Sequence, residues 1–281
     1  MPAMGISTAS FFSRLDNENA VAYIGQSGFS CCEVFLETYR EYEEAFAYII
    51  KQKAEENQTQ VVSVHAMSQQ FEPQLFSTSQ RQKEDAFQIY RNVLRAGQIM
   101  GATHYVLHGP ALVMGNKVNE HFAQRWGHDA VELAQCAQDY GLQLCWENVS
   151  WCAFNVPDFA DWILENGSHD NLRFTFDIKQ AIRSGVDPFL YLEKMRNRLG
   201  NVHLCDYQLD EAGHIKNLAL PGKGQFDFER LGRCLQAMHY EGYCMTEVYS
   251  SLYEDKNELL ESARLTAKRM GLRISFPNGQ E

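Results

Sequence analysis

The sequence has no apolar run near the ~20 residues that a membrane-spanning helix requires. Its opening, Met1-Pro2-Ala3-Met4-Gly5, lacks a basic start followed by an apolar stretch. No secretion signal is therefore expected, and the cytoplasm is the expected compartment. Positive charge is scarce: 25 Lys and Arg stand against 36 Asp and Glu, a formal net charge of −11. So acidic a chain lacks the basic footprint that a phosphate backbone demands, and neither nucleic acid nor membrane is an expected partner. The eight cysteines, Cys31, Cys32, Cys136, Cys145, Cys152, Cys205, Cys234 and Cys244, include no C-x-x-C pair. Most sit in apolar runs such as Leu144-Cys145-Trp146 and read as buried free thiols of a reducing compartment. Linkers are missing too. No low-complexity or Pro/Gly/Ser-rich seam divides the 281 residues, so residues 1–281 read as one domain. With 45% hydrophobic and 22% charged residues, disorder and fibrous structure are excluded for most of the length.

What is present is alternation. Short apolar runs read as strands at Met4–Thr8, Cys31–Leu36, Val61–His65, His104–His108, Gln143–Glu147, Arg173–Asp177, Asn201–Cys205 and Tyr243–Glu247. Several are almost continuously apolar, as buried parallel strands are. Amphipathic stretches between them predict helices over Asn17–Gln26, Glu41–Lys53, Thr78–Met100, Glu120–Tyr140, Pro157–Glu165, Asp187–Arg198, Asp227–Tyr240 and Asp255–Met270. Gly141 and Gly271 supply helix ends, and Pro157 and Pro188 suit first turns. The alternative to a closed barrel is an open doubly wound sheet, which often carries a glycine-rich phosphate loop after its first strand. Here Ser7-Thr8-Ala9-Ser10-Phe11-Phe12 follows that strand, with neither G-x-G-x-x-G nor a P-loop. Eight strand–helix units with nothing left over predict an α/β fold, a single (β/α)8 barrel.

Active sites of such barrels lie at the C-terminal ends of the strands. Seven of the eight predicted strands end near a carboxylate or an imidazole: Glu37, His65, His108, Glu147, Asp177, His203 with Asp206, and Glu247. One such residue is ordinarily a helix cap or a core histidine. A ring of them at one mouth is repulsive unless a cation or protonation relieves it. Glu147, Asp177, His203 and Glu247 come from four successive strands and make the best ligand set. Three carboxylates and one imidazole suit one divalent ion, Mn²⁺, Co²⁺, Zn²⁺ or Mg²⁺. An octahedral ion would keep two positions for adjacent oxygens of a hydroxy-carbonyl compound.

Five short motifs stand in a characteristic order: Trp146-Glu147-Asn148, Phe176-Asp177, Val202-His203-Leu204-Cys205-Asp206, Pro221-Gly222-Lys223-Gly224-Gln225-Phe226-Asp227 and Thr246-Glu247. In these the whole chain resembles the xylose isomerase-like barrel superfamily of sugar and sugar-phosphate isomerases and epimerases, which also holds endonuclease IV. The resemblance implies Glu147, Asp177, His203 and Glu247 as metal ligands, and Glu147 and Glu247 as the paired acid and base. It implies a sugar or sugar-phosphate substrate, with His65 and His108 binding substrate or supporting the ligands, and a possible homo-oligomer. The tail Arg273–Glu281 would then cap the barrel or pack on a partner.

The sequence departs from that pattern in two places. Gln180 stands where many members have a histidine, and no arginine follows Asp206, where Tyr207, Gln208 and Leu209 stand. Gln180 can still bond a hydroxyl. Lys179 either binds an anionic oxygen in the mouth or is a solvated lysine on a first helical turn. Lys223 reads as a flexible surface lysine more than a phosphate ligand. Trp146, Trp151 and Phe154 form either an apolar wall against a sugar or part of the core.

The leading expectation is a metal-dependent isomerase or epimerase working through an enediolate. The alternatives are a keto-sugar or keto-cyclitol dehydratase and a non-catalytic sugar-binding barrel. An abasic-site nuclease is disfavoured by Gln180, by the lack of further histidines (His214 alone is placed near the right segment), and by the negative charge.

Overall fold

The computed structural model describes residues 1–112 and 118–275. Eight parallel strands close into a barrel: β1 (Ala3–Ser7), β2 (Cys31–Leu36), β3 (Gln60–Ala66), β4 (His104–Leu107), β5 (Gln143–Glu147), β6 (Leu172–Asp177), β7 (Leu199–Leu204) and β10 (Tyr243–Thr246). Around the ring the order is β1-β10-β7-β6-β5-β4-β3-β2. The long helices are α1 (Asn17–Gln26), α2 (Glu44–Glu56), α4 (Gln80–Met100), α5 (Glu120–Asp139), α9 (Phe228–Ala237) and α10 (Lys256–Met270). Shorter ones are α3 (Glu72–Leu75), α6 (Phe159–Asn166), α7 (Ile178–Arg183) and α8 (Pro188–Met195). This is the predicted (β/α)8 barrel, and no described helix is long and apolar enough to cross a membrane.

The local chemistry explains the elements. The α10 helix opens with a capping box, Asp255 and Glu258, and closes at Gly271 in the left-handed region at φ 68°. Alternation along β2 divides its side chains between two layers. Cys32, Val34 and Leu36 join the main core beneath the helices. Cys31 faces inward, where it meets Ala3, Val62 and Met245 in a small apolar cluster near the N-terminal ends of the strands. Glu33, two residues further along the inward face, is fully buried. The barrel interior thus passes from an apolar plug to a polar layer as the strands run toward their C-terminal ends.

The expectation of eight units with nothing left over needs correction. An antiparallel hairpin follows β7, formed by β8 (Asp206–Leu209) and β9 (Ile215–Ala219). Its strands are only four and five residues long, too short for their apolar residues to stand out from the loop around them. The predicted helix from Thr78 begins at Gln80, with α3 standing separately before it, and α7 starts directly at the end of β6. At the C-terminus, the backbone oxygen of Arg273 accepts from Met4 N at 2.7 Å, and that of Ile274 accepts from the Ser30 side chain at 2.8 Å. The start of the tail therefore seals against the barrel, and residues 276–281 lie outside the described residues. All eight cysteines are free thiols, six of them buried.

Candidate metal centre

Strand register brings the candidate ligands together. Asp177 in β6 pairs directly with His203 in β7, and His203 with Met245 in β10. Glu247 lies two residues beyond Met245, and its backbone N–H is held by Leu204 O at 3.1 Å. Asn148 joins the ends of β5 and β6: its side chain donates to Asp177 O at 2.9 Å and accepts from Asp177 N at 2.8 Å. That amide reproduces a strand pair just where Glu147 and Asp177 must be placed.

His203 is the hub. Its Nδ1 lies 2.9 Å from Glu247 Oε2, 3.3 Å from Glu147 Oε1 and 3.7 Å from Asp177 Oδ2. Glu147, Asp177, His203 and Glu247 are all buried, and each offers a ligand atom within 4.8 Å of the others. A second group meets the same criterion: His65, His108 and Glu147. His108 Nε2 is 2.7 Å from His65 Nε2 and 2.9 Å from Glu147 Oε2. Glu147 is common to both groups, and Ser68 Oγ holds His108 Nδ1 at 2.6 Å.

Lys179 is buried in this cluster rather than solvated. Its ammonium lies 3.3 Å from Glu247 and 3.6 Å from Asp177, and 5.2 Å from the centre of the Tyr249 ring. Gln180 is also buried. Its side-chain carbonyl accepts from Ser150 N and Oγ at 3.2 and 2.9 Å, and its backbone N–H donates to Asp177 Oδ1 at 2.7 Å.

The electrostatics of the ion-free cluster follow from burial set against these pairs. Burial pushes the Asp177 carboxyl up to about 6, although Lys179 opposes it. Burial works against charge on Glu147 too, but His108 and His203 outweigh it and hold that carboxylate well below the usual range. Lys179 and His203 do the same for Glu247. Burial disfavours the Lys179 ammonium, yet Glu247 and Asp177 hold it well above the ordinary lysine value. Likewise Glu33 and Glu247 overcome burial at His203 and keep it protonated. At His65, burial and the His108 charge push the imidazole down to about 4, so it is neutral.

The residues fit a divalent ion. Asp177 Oδ2 is buried and makes no hydrogen bond among the described residues, its nearest cationic atoms being Lys179 Nζ at 3.6 Å and His203 Nδ1 at 3.7 Å. A buried acceptor held only at those distances has room for a closer partner. Three carboxylate oxygens and one imidazole nitrogen around it are a donor set for a hard or borderline cation.

Two predicted ring members are placed elsewhere. Glu37 lies one residue beyond the end of β2 and is half-buried. Burial and the charges of Glu41 and Asp16 push it up to about 7, and it belongs to neither ligand group. Strand β2 contributes the inward Glu33 instead. Asp206 accepts backbone N–H bonds from Tyr207, Gly222, Gly224 and Phe226 at 2.8, 3.0, 2.8 and 2.9 Å. It therefore organises the Pro221-Gly222-Lys223-Gly224 loop. Gly222 takes φ +79°, and a Cβ on Gly224 would overlap Asp206 and Tyr207. The two glycines are thus loop geometry, and Lys223 is exposed. Asp206→Ala is expected to cost about 3 kcal/mol in chemical denaturation by freeing these donors. A loss below about 0.5 kcal/mol would show that the loop holds itself.

Trp146 and Phe154 are fully buried core residues. Trp151 sits at the mouth, its ring 5.6 Å from that of His108. Sequence reasoning missed two buried carboxylates. Glu33 could have been found as the one charged residue inside the apolar run Cys31–Leu36. Glu72 carries no such signal. It accepts from Tyr105 OH at 2.5 Å and from the backbone N–H groups of His108 and Gly109 at 2.8 and 3.2 Å, and so fixes the end of β4.

A closed (β/α)8 barrel with a buried acid–imidazole cluster at its C-terminal mouth defines the class. Residues 21–269 match the family model described as xylose isomerase-like TIM barrel, and the chain belongs to that family. Inosose dehydratase of Clostridium beijerinckii is 25% identical over 129 residues, covering 41% of this chain and 43% of that protein. The chain thus matches less than half the length of this curated relative. A D-tagatose 3-epimerase-like protein superposes with TM-score 0.78 at 16% identity, covering 96% of this chain and 97% of the other. D-allulose 3-epimerase from Methylomonas sp., solved with D-allulose, gives TM-score 0.78 at 15% identity and the same coverage. At these identities the likeness shows the fold.

Proposed function

We propose that this protein is a divalent-metal-dependent isomerase or epimerase of a sugar or sugar phosphate, acting by proton transfer beside a carbonyl. The observation that carries the reading is the mutual approach, within 4.8 Å, of ligand atoms from the buried Glu147, Asp177, His203 and Glu247. A bound divalent ion would supply Lewis-acid stabilisation of the negative charge that develops on the substrate's oxygens. Glu147 ends β5 and Glu247 directly follows β10, two strands that β6 and β7 separate in the ring. Carboxylates on two sides of a substrate can take a proton from one face and return one to the other, as epimerisation requires. Lys179 places a positive charge beside Glu247 that can stabilise an oxygen on which charge develops. His65, His108 and Gln180 are the remaining candidates for holding hydroxyl groups.

The similarity to inosose dehydratase favours a second reading of the same site. Abstraction of the same proton followed by loss of a neighbouring hydroxyl is dehydration of a keto-sugar or keto-cyclitol. Proton NMR in D₂O separates the two. Isomerisation or epimerisation places solvent deuterium on an otherwise intact sugar, and dehydration yields an unsaturated or deoxy ketone.

The first test is metal content by mass spectrometry, on protein purified without chelator, with Asp177→Ala alongside. About one Mn, Co, Zn or Mg per chain, lost in the variant, is expected. Absence of metal after reconstitution with Mn²⁺ or Co²⁺ would overturn the reading.

A further inference from the structure

Glu33 is fully buried at the centre of the polar layer. Its Oε2 accepts from Ser63 Oγ at 2.7 Å and Asn201 Nδ2 at 3.2 Å, and it lies 3.2 Å from His203 Nε2. Its Oε1 has no hydrogen-bond partner among the described residues and faces His65 Nδ1, likewise without one, at 3.9 Å. One carboxylate therefore stands behind two imidazoles from separate strands, β3 and β7. In each ring the opposite nitrogen points the other way. His203 Nδ1 faces Glu147, Asp177 and Glu247, and His65 Nε2 faces His108 and Glu147.

We propose that Glu33 is the positioning residue of the metal centre. It holds the proton of His203 on Nε2, so that the Nδ1 lone pair is presented to the ion, and it sets the plane of the His65 ring from behind. The inference rests on the proposed metal site and adds to it which nitrogen binds and what fixes it. Carboxylates face both nitrogens of His203, and an ionised carboxylate offers only acceptors, so without an ion both nitrogens carry protons. An ion among Glu147, Asp177 and Glu247 would take the place of the Nδ1 proton, and the nitrogen facing Glu33 would keep its own, leaving a neutral ring with its lone pair on the ligand side. Ser63 and Asn201 bring two further donors to Glu33 Oε2, and Asn201 Nδ2, which also lies 3.2 Å from His203 Nε2, gives its hydrogen to Glu33 in this arrangement. A buried anion costs a great deal to keep in a strand interior, and an apolar residue there would simply extend the Ala3, Cys31, Val62 and Met245 plug. Supporting a ligand explains why a carboxylate stands there.

The test compares Co²⁺ binding to the full chain and to Glu33→Gln and Glu33→Leu, by competition titration and by the visible spectrum of the bound ion. Folding is checked by circular dichroism in chelator. An outer partner of a metal-bound histidine is typically worth about 10–100-fold in affinity. Glu33→Leu is expected near the upper figure. Glu33→Gln, which keeps an acceptor oxygen, is expected near the lower, and both should alter the cobalt spectrum. Folded variants with wild-type affinity and spectrum would overturn the role of Glu33 and leave the metal centre standing. Wild-type protein that binds no Co²⁺ would instead overturn the proposed function, and this inference with it. If neither variant folds, histidine ¹⁵N NMR of the metal-loaded wild type decides. A proton on His203 Nε2 is expected, and a proton on Nδ1 would refute the assignment.

Discussion

Glu247→Gln is expected to lower turnover by about 10³-fold, within the range for removing a general acid–base group, while leaving a folded barrel. The amide keeps the volume of the side chain and an oxygen toward Lys179 and His203, which now lie 3.3 and 2.9 Å from Glu247 Oε2. It cannot take up and return a proton. Only about a tenth of the Glu247 side chain is exposed, so solvent has little access to replace it as the base. The measurement is kcat on whichever ketose, ketose phosphate or keto-cyclitol exchanges deuterium with the wild-type enzyme. Metal content and circular dichroism serve as controls. Turnover near wild type in the folded, metal-loaded variant would remove Glu247 from the proton-transfer step. A variant that is inactive solely because it fails to take up metal would place Glu247 among the ligands and not among the acid–base groups.

The second large effect concerns Lys179. In the ion-free cluster its ammonium is the permanent positive charge among Glu147, Asp177 and Glu247, assisted by the protonated His203. Lys179→Met removes it and leaves buried carboxylates facing one another. Breaking a buried pair by deleting one partner typically costs about 3–5 kcal/mol, and that loss is expected in denaturant unfolding with chelator present. With saturating Mn²⁺ most of it should disappear, because the ion supplies the missing positive charge and stabilises the folded state by binding it. An equal loss with and without Mn²⁺ would make the ammonium a packing element. No loss in chelator would mean that protonation of Asp177, already pushed up to about 6, relieves the repulsion unaided. The sign of the difference between the two conditions is the diagnostic quantity.

How far the fold and site were legible depended on the kind of signal. Buried parallel strands write themselves as apolar runs, so all eight barrel strands were found, Cys31–Leu36 and Gln143–Glu147 with both ends in place and the others with ends displaced by at most two residues. The hairpin Asp206–Leu209 and Ile215–Ala219 was not, since strands of four and five residues, with only Tyr207, Leu218 and Ala219 turned to the core, leave too short a pattern to read. The strand-end rule collected Glu147, Asp177, His203 and Glu247 because a parallel barrel must deliver the C-terminal ends of its strands to one mouth. The same rule also collected Glu37 and Asp206, which belong to neither ligand group. Both are acidic residues just past a strand, where the loop that follows supplies their neighbours. At Glu37 those are the charges of Glu41 and Asp16. At Asp206 four backbone donors claim the carboxylate.

The pattern of short apolar strands and amphipathic helices therefore determined the (β/α)8 class, and the positions of acids and imidazoles along it determined which four side chains converge. Tertiary structure alone decided the rest. It placed Lys179 inside the cluster rather than in solvent, made Glu147 common to two ligand groups, and put Glu33 and Glu72 behind the histidines. The physical reason is one of range. Periodicity is local and survives in the sequence, whereas a buried carboxylate acquires its partner from a strand up to 170 residues away, as Glu33 does from His203. Such a pairing exists only once the barrel has closed.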